Sequence, residues 1–371
     1  MTIRAHIVGW GKYVPERVLT NDDLTNMIDT SDEWIRTRTG IVERHLVAEE
    51  ETTATMAIEA SHAALEMAGL KPTDLDLIIV ATATPDYLFP STACLIQDAL
   101  GAPHAAAFDL AAGCSGFVYG VSIATGLIEI GQYKNALVIG AETLSRITNW
   151  EDRATCVLFG DGAGAVILQA NGAEGGVLSS ALGADGSGGD LLILPGGGSR
   201  NPTSHNTVSE GMHYLRMKGR EVFRFAVRAM PAATRQVLAK ADLTLQDLSL
   251  LIPHQANRRI TDASAKTLGI PEDKIFSDVE WFGNTSAASI PIALCEAVEQ
   301  GRIQRNDVVV FVGFGAGLTW AAAAVRWSAP LPAVPPTRWE KAWYGWRYRY
   351  AALRSLARRF VRWLASRFVK D

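Results

Sequence analysis

Apolar residues follow two rhythms along this chain. Apolar-rich stretches occur at 75–80 (LDLIIV), 136–140 (ALVIG), 164–168 (GAVIL), 248–253 (LSLLIP) and 308–313 (VVVFVG). Each is bounded by glycine, proline or charge, which predicts strands buried on both faces. Helical stretches alternate with them, so the pattern predicts a layered α/β fold. The pattern also repeats. Leu65, Ala68, Leu70, Asp74, Leu75, Leu77 and Ile79 match Leu238, Ala241, Leu243, Asp247, Leu248, Leu250 and Ile252, an offset of 173. Each copy reads as a helix end, an acidic turn and a buried strand. Further on, Gly131 before ALVIG matches Gly301 before VVVFVG, an offset of 170. So long a period indicates duplication rather than a solenoid. The expected architecture is α/β/α/β/α with pseudo-twofold symmetry. Its halves are 1–172 and 173–327, followed by a proline-rich linker at 328–337 and a tail at 338–371.

With 371 residues, 48% of them hydrophobic, the chain can bury a core in each half. The N-terminus lacks the apolar run of a secretory signal, and no stretch of about 18 apolar residues suggests a membrane span. The four cysteines form no CxxC pair and stand with no histidine cluster, so no metal is expected and the thiols read as reduced and cytoplasmic. The net charge of −4 is unevenly spread. The tail carries ten Lys/Arg against two Asp/Glu, the body 25 against 37. Nucleic acid is therefore not expected as a partner of the acidic body.

Residues 105–131 read as strand, small-residue turn and helix, with Cys114 at the start of the helix. Exposed N–H groups there favour a thiolate, which predicts a lowered thiol pKa. On position alone Cys114 is equally well read as a small packing residue. Cys94, Cys156 and Cys295 are read as packing residues. Applying the second offset to Cys114 gives Asn284, at the mouth of the helix that ends at Gly301. His254 follows the strand LSLLIP. Taken singly, His254 and Asn284 read as a strand-end cap and a turn former.

The stretches VPERVLTNDDLTNMIDTSDEWIRTRTGIVERH, FPSTACLIQDALGA, AGCSGF, FGDGAGA, GREVF, PHQANRR, GNTSAASIP and FGAGLTW occur in this order over residues 1 to about 327. In them the chain resembles the ketoacyl-acyl-carrier-protein synthase III family of the thiolase superfamily. The resemblance implies a thiolase-like fold and a decarboxylative Claisen condensation of an acyl-coenzyme A primer with malonyl-acyl-carrier protein. It implies Cys114, His254 and Asn284 as catalytic residues, and the backbone N–H groups of Cys114 and Ala316 as an oxyanion hole. Many family members have glycine where Ala316 stands. Thr30, Trp34, Arg38, Arg153, Phe223 and Asn257 are implied along the coenzyme A path. Arg224, Gln255, Arg258, Arg259 and Lys266 are implied as the docking patch for an acidic carrier protein. Phe89 is implied in the acyl pocket of a homodimer partner. Coenzyme A is then substrate, and no cofactor is expected. The alternatives are a same-triad acyltransferase or a condensing enzyme of secondary metabolism.

The tail has no counterpart in that family pattern. Tyr350, Leu353, Leu356, Phe360, Leu364 and Phe368 recur at helical spacing, with Arg354, Arg358 and Arg362 on another face. This predicts a basic amphipathic helix. It admits two readings: an interfacial anchor on anionic lipid, or a helix docked on the acidic body of the same or a neighbouring subunit.

Overall fold

A computed structural model describes residues 3–329, 346, 353–358, 360–361 and 363–364. Nine strands form two sheets: β1 Arg4–Tyr13, β2 Leu77–Ala81, β3 Ala106–Leu110, β4 Asn135–Glu142, β5 Gly162–Asn171, β6 Gly176–Ala184, β7 Leu250–Pro253, β8 Val308–Gly315 and β9 Thr319–Arg326. The first sheet has the order β3-β2-β4-β5-β1, and the second β7-β8-β9-β6. In the first, β2 and β4 are parallel and β5 is antiparallel to both its neighbours. In the second, β7 and β8 are parallel and β9 is antiparallel to both its neighbours. The two sheets thus repeat one design, apart from β3, which extends the first.

Helices complete five layers. α1 (Asp32–Thr39) lies beside the body. α2 (Thr53–Ala68) and α3 (Thr92–Leu100) cover the outside of the first sheet. α4 (Gly116–Glu129) and α7 (Ser289–Glu299) lie between the sheets. α5 (Gly219–Lys240) and α6 (Arg258–Leu268) cover the outside of the second. The central layer explains the apolar runs. Phe117, Val121 and Ile128 of α4 and Ile290, Ala293 and Leu294 of α7 share one core with strand residues of both sheets. Burial of this apolar area is the main force holding the halves together.

The repeat needs one correction. The 3₁₀ turns Gly113–Ser115 and Ser286–Ala288 precede α4 and α7, an offset of 173. The offset of 170 holds only at the helix ends, because α4 has 14 residues and α7 has 11. The positional counterpart of Cys114 is therefore Ala287, and Asn284 stands three residues earlier.

The boundary expected after residue 172 falls in the turn between β5 and β6. Trp327 is buried against Trp10, with ring centroids 5.3 Å apart, and Ser328 accompanies it through a 2.7 Å hydrogen bond to His6. Most of the expected linker and much of the tail lie outside the described residues. Residues 353–358 are helical. Ser355 hydrogen-bonds Asp98 of α3, and Arg358 lies 3.0 Å from the same carboxylate.

Candidate active site

The nucleophile turn is built of small residues because backbone crowds it. Gly113 has φ +52, and a Cβ there would stand 2.7 Å from the Ala316 nitrogen. Only glycine fits both constraints. Hydroxyls tie this turn to the β8–β9 hairpin: Ser115 Oγ lies 2.8 Å from Thr319 Oγ1, which lies 2.9 Å from the Ala112 carbonyl. The turn before α7 approaches from the other half and brings the Ser286 hydroxyl beside the Cys114 thiol.

Cys114, His254 and Asn284 come together in one cleft of about 480 Å³. Its buried lining also includes Phe314, and its exposed lining includes Arg38, Arg220 and Arg259. His254 leaves the end of β7, held by a 2.7 Å backbone bond from its N–H to Val312 O. Its ring meets Phe314 edge-on, centroids 5.3 Å apart. Burial drives its pKa down to about 3, so the imidazole is neutral. Nδ1 lies 2.7 Å from Ser289 Oγ, at the first residue of α7. That oxygen also accepts the Gln255 N–H at 3.4 Å and keeps its own proton for donation to Nδ1 in the Nε2–H tautomer. With Ser289 as donor to Nδ1, the imidazole proton is assigned to Nε2. Asn284 Oδ1 accepts the Ser286 N–H at 2.9 Å, which leaves the Nδ2 protons as its free donors. Cleft, thiol and two neutral N–H donors thus make an arrangement suited to acyl transfer and oxyanion stabilisation.

The thiol itself differs from expectation. Burial pushes the Cys114 pKa up to about 12; the Ser286 hydrogen bond opposes this and the nearby Glu142 charge reinforces it. Desolvation of a buried charge thus opposes the thiolate that the helix start favours. Cys156 and Cys295 are buried as packing residues, whereas Cys94 is exposed on α3, contrary to its reading.

Among the residues implied for coenzyme A, Trp34, Arg38, Phe223 and Asn257 line the cleft; Thr30 and Arg153 do not. Ser31 caps α1 through the Trp34 N–H, which fixes the start of that helix. Arg38 and Arg153 both place guanidinium carbons over the Trp34 ring, 4.9 and 4.8 Å from its centroid. Arg153 also donates to Asp29 O at 2.9 Å. It therefore occupies the face of Trp34 instead of leaving a gap beside it. Asn257 is the N-cap of α6, accepting from the Ile260 N–H.

The expected docking patch is only partly a surface. Gln255 is corrected: its side chain is 1% exposed and bonds to Pro253 O, Phe276 O and the Asp278 N–H, so it cannot meet a partner. Arg258 pairs with Asp262 at 2.9 Å and Glu280 at 3.4 Å. Arg224, Arg259 and Lys266 are exposed. Phe89 is 87% exposed beside Leu88 and Tyr87, and it does not line the cleft of its own chain.

Ser286, Ser289 and Glu142 were missed by sequence reasoning. Both serines lie inside GNTSAASIP, where hydroxyls two and five residues after Asn284 were the available signal. Glu142 closes an apolar strand and reads as its solvent end.

Two family models match: 3-Oxoacyl-[acyl-carrier-protein (ACP)] synthase III over residues 108–186, and the C-terminal region of the same family over 238–327. A Beta-ketoacyl-[acyl-carrier-protein] synthase III of Caldanaerobacter subterraneus subsp. tengcongensis is 56% identical over 326 residues, covering 88% of this chain and 98% of that protein. The crystal structure of 3-oxoacyl-[acyl-carrier-protein] synthase III from Aquifex aeolicus is 50% identical, with TM-score 0.81 over 87% of this chain and 100% of that one. A priming beta-ketosynthase from the R1128 polyketide biosynthetic pathway is 36% identical, with TM-score 0.81 over 88% and 97%.

Proposed function

The chain belongs to the 3-oxoacyl-[acyl-carrier-protein] synthase III family, and from that premise we propose how its residues carry out the initiating condensation of fatty acid synthesis. An acyl-coenzyme A primer enters past Trp34 and transfers its acyl group to Cys114 Sγ. Coenzyme A leaves and malonyl-acyl-carrier protein takes its place. His254 Nε2–H and Asn284 Nδ2–H donate to the thioester oxygen as carbon dioxide departs and negative charge develops there. The resulting carbanion attacks the acyl-cysteine carbonyl. The backbone N–H groups of Cys114 and Ala316 receive the second oxyanion; replacing glycine by alanine at 316 keeps that donor. The product is a 3-oxoacyl-acyl-carrier protein. The observation that carries this reading is the meeting of one thiol and two neutral N–H donors in a single cleft. The 56% identity to a synthase III favours fatty acid initiation over secondary metabolism, where the priming relative is 36% identical. Carbon dioxide release from malonyl-acyl-carrier protein is the test. Acyl-Cys114 formation without any release would mark a non-decarboxylating acyltransferase instead.

Exposed Arg224, Arg259 and Lys266 form the part of the basic patch suited to an acidic carrier protein. Two copies of the chain assemble through the β3 side of the first sheet. Phe108 is 37% exposed on that edge strand, and the projecting Phe89 enters the partner's acyl pocket. No described helix is long and apolar enough to cross a membrane. The tail docks on the acidic body of its own subunit at Asp98 and offers its outer apolar face as a peripheral anchor on anionic lipid from the cytoplasmic side. Its support is the placement of the described tail residues: Ser355 and Arg358 face Asp98, while Leu353, Leu356, Phe360 and Val361 are 59–64% exposed. Flotation with phosphatidylglycerol-containing vesicles compares the full chain with one ending at Trp327. Equal lipid binding by the two chains excludes the anchor.

A further inference from the structure

A neutral thiol in a buried site must lose its proton when it is acylated, and His254 is a poor acceptor. Its pKa is depressed to about 3, and its Nδ1 is already engaged by Ser289. Another acceptor stands one hydroxyl away from the thiol. Glu142, at the end of β4, is fully buried. Its Oε1 lies 2.9 Å from Ser286 Oγ, and the same Ser286 hydroxyl meets the Cys114 thiol. Ser286 reaches both groups from a backbone with φ +49, a region that residues other than glycine rarely adopt. Such strain persists where the surroundings impose it, often at functional sites.

The remaining neighbours of Glu142 are neutral donors: Thr84 Oγ1 at 2.7 Å, the Ala83 N–H at 3.0 Å, Thr82 Oγ1 at 3.3 Å, and the Ala287 N–H. Among the described residues, the titratable group acting across Ser286 is the Cys114 thiol. No cation faces the carboxylate in this set, and burial raises its pKa. Its affinity for a proton is therefore well above that of an ordinary carboxylate.

We propose that Ser286 and Glu142 form the proton relay that deprotonates Cys114 during acylation. As Sγ bonds to the thioester carbonyl carbon, the thiol proton passes to Ser286 Oγ, and the Ser286 hydroxyl proton passes to Glu142 Oε1. Collapse of the tetrahedral intermediate breaks the carbon–sulfur bond to coenzyme A. Glu142 returns its proton to Ser286 Oγ, whose hydroxyl protonates the departing coenzyme A thiolate directly, so coenzyme A leaves as a thiol and the carboxylate is restored. A protonated Glu142 carries no charge beside the attacking sulfur, which removes the repulsion that the carboxylate exerts in the resting state. Ser286 touches the reacting atom; Glu142 acts through it. The proposal rests on Cys114 being the acylated residue.

The test uses the full chain as wild type, Glu142→Gln, Glu142→Asp and Ser286→Ala. Acyl-Cys114 formation from acetyl-coenzyme A is followed by rapid quench and intact mass from pH 6 to 10. Decarboxylation of malonyl-acyl-carrier protein without primer is measured in parallel. Glu142→Gln slows acylation roughly tenfold or more near pH 7, and the deficit shrinks toward pH 10 as hydroxide replaces the relay. Decarboxylation stays within about twofold, since His254 and Asn284 are intact, and Glu142→Asp recovers part of the acylation rate. If Glu142→Gln does not fold, Ser286→Ala must show the same pH-dependent loss. Unchanged acylation in the variants that fold overturns the relay. So does a loss shared equally by acylation and decarboxylation at every pH, which is the mark of a structural role. Absence of acyl-Cys114 in wild type would instead overturn the underlying reading of the site.

Discussion

His254 Nδ1 lies 2.7 Å from Ser289 Oγ, inside the protein and away from the cleft. This contact decides which ring nitrogen carries the proton, and therefore whether His254 can donate to an enolate oxygen. Ser289→Ala removes the bias between tautomers. A hydrogen bond of this kind contributes ~0.5–1.5 kcal/mol, so decarboxylation should fall up to about tenfold. The KM for malonyl-acyl-carrier protein should change little, and acylation of Cys114 should stay near wild type. A variant that loses both half-reactions equally would show that Ser289 only packs.

Asn284 supplies the other donor. Its Oδ1 is held by the Ser286 N–H, so Asn284→Asp exchanges a donor for a carboxylate at the site where negative charge develops. Removing one oxyanion donor costs roughly 10²–10³ in rate. Carbon dioxide release should drop by at least that much, while intact mass still detects acyl-Cys114.

The depressed pKa of His254 has two consequences. Decarboxylation should show no acid limb near pH 6.5, because the ring stays neutral down to about pH 3. A limb at 6.5 in the malonyl-acyl-carrier protein profile would contradict the buried, neutral imidazole. Stability follows the same group. Below pH 6.5 the unfolded chain takes up a proton that the folded chain refuses. The contribution is complete above 6.5 and is lost as pH falls toward the folded value.

Asp278 gives the opposite sign. Burial, reinforced by Glu296, raises its carboxyl pKa to about 8, and Oδ2 has no hydrogen-bond partner among the described residues. Its contribution is complete below about pH 3.8 and is lost as pH rises through about 8. Asp278→Asn should therefore raise Tm by a few degrees more at pH 8 than at pH 4, followed by calorimetry at both. An equal shift at the two values would exclude an ionisation cost.

Much of this architecture could be read in advance because strand burial leaves a plain mark. Leu77–Ile79 and Leu250–Ile252 are continuous apolar runs since both faces of each strand are covered, and the offset between them holds in the two sheets. The register of the turns was less legible. Two central helices of different length shift the count by three, so Asn284 came from the right turn by the wrong arithmetic. Gln255 shares a motif with exposed basic residues, yet its amide satisfies buried backbone groups, which local sequence does not reveal. Glu142 and Ser286 meet across 144 positions, a pairing that no spacing pattern announces. The thiol is a related case: a helix start is visible in sequence, but the depth of burial that opposes a thiolate is not.

The central claim is that Cys114 carries the acyl group and that a malonyl-derived carbanion removes it. The most direct measurement is a chase. The protein is loaded with isotopically labelled acetyl-coenzyme A, freed of coenzyme A, and mixed with malonyl-acyl-carrier protein, with the Cys114 peptide, the carrier protein and carbon dioxide followed together by mass spectrometry. The account predicts label on Cys114 before the chase, then its loss in step with labelled 3-oxoacyl-carrier protein and one carbon dioxide per acyl group. Label on another residue, or carbon dioxide released while Cys114 stays acylated, would contradict it.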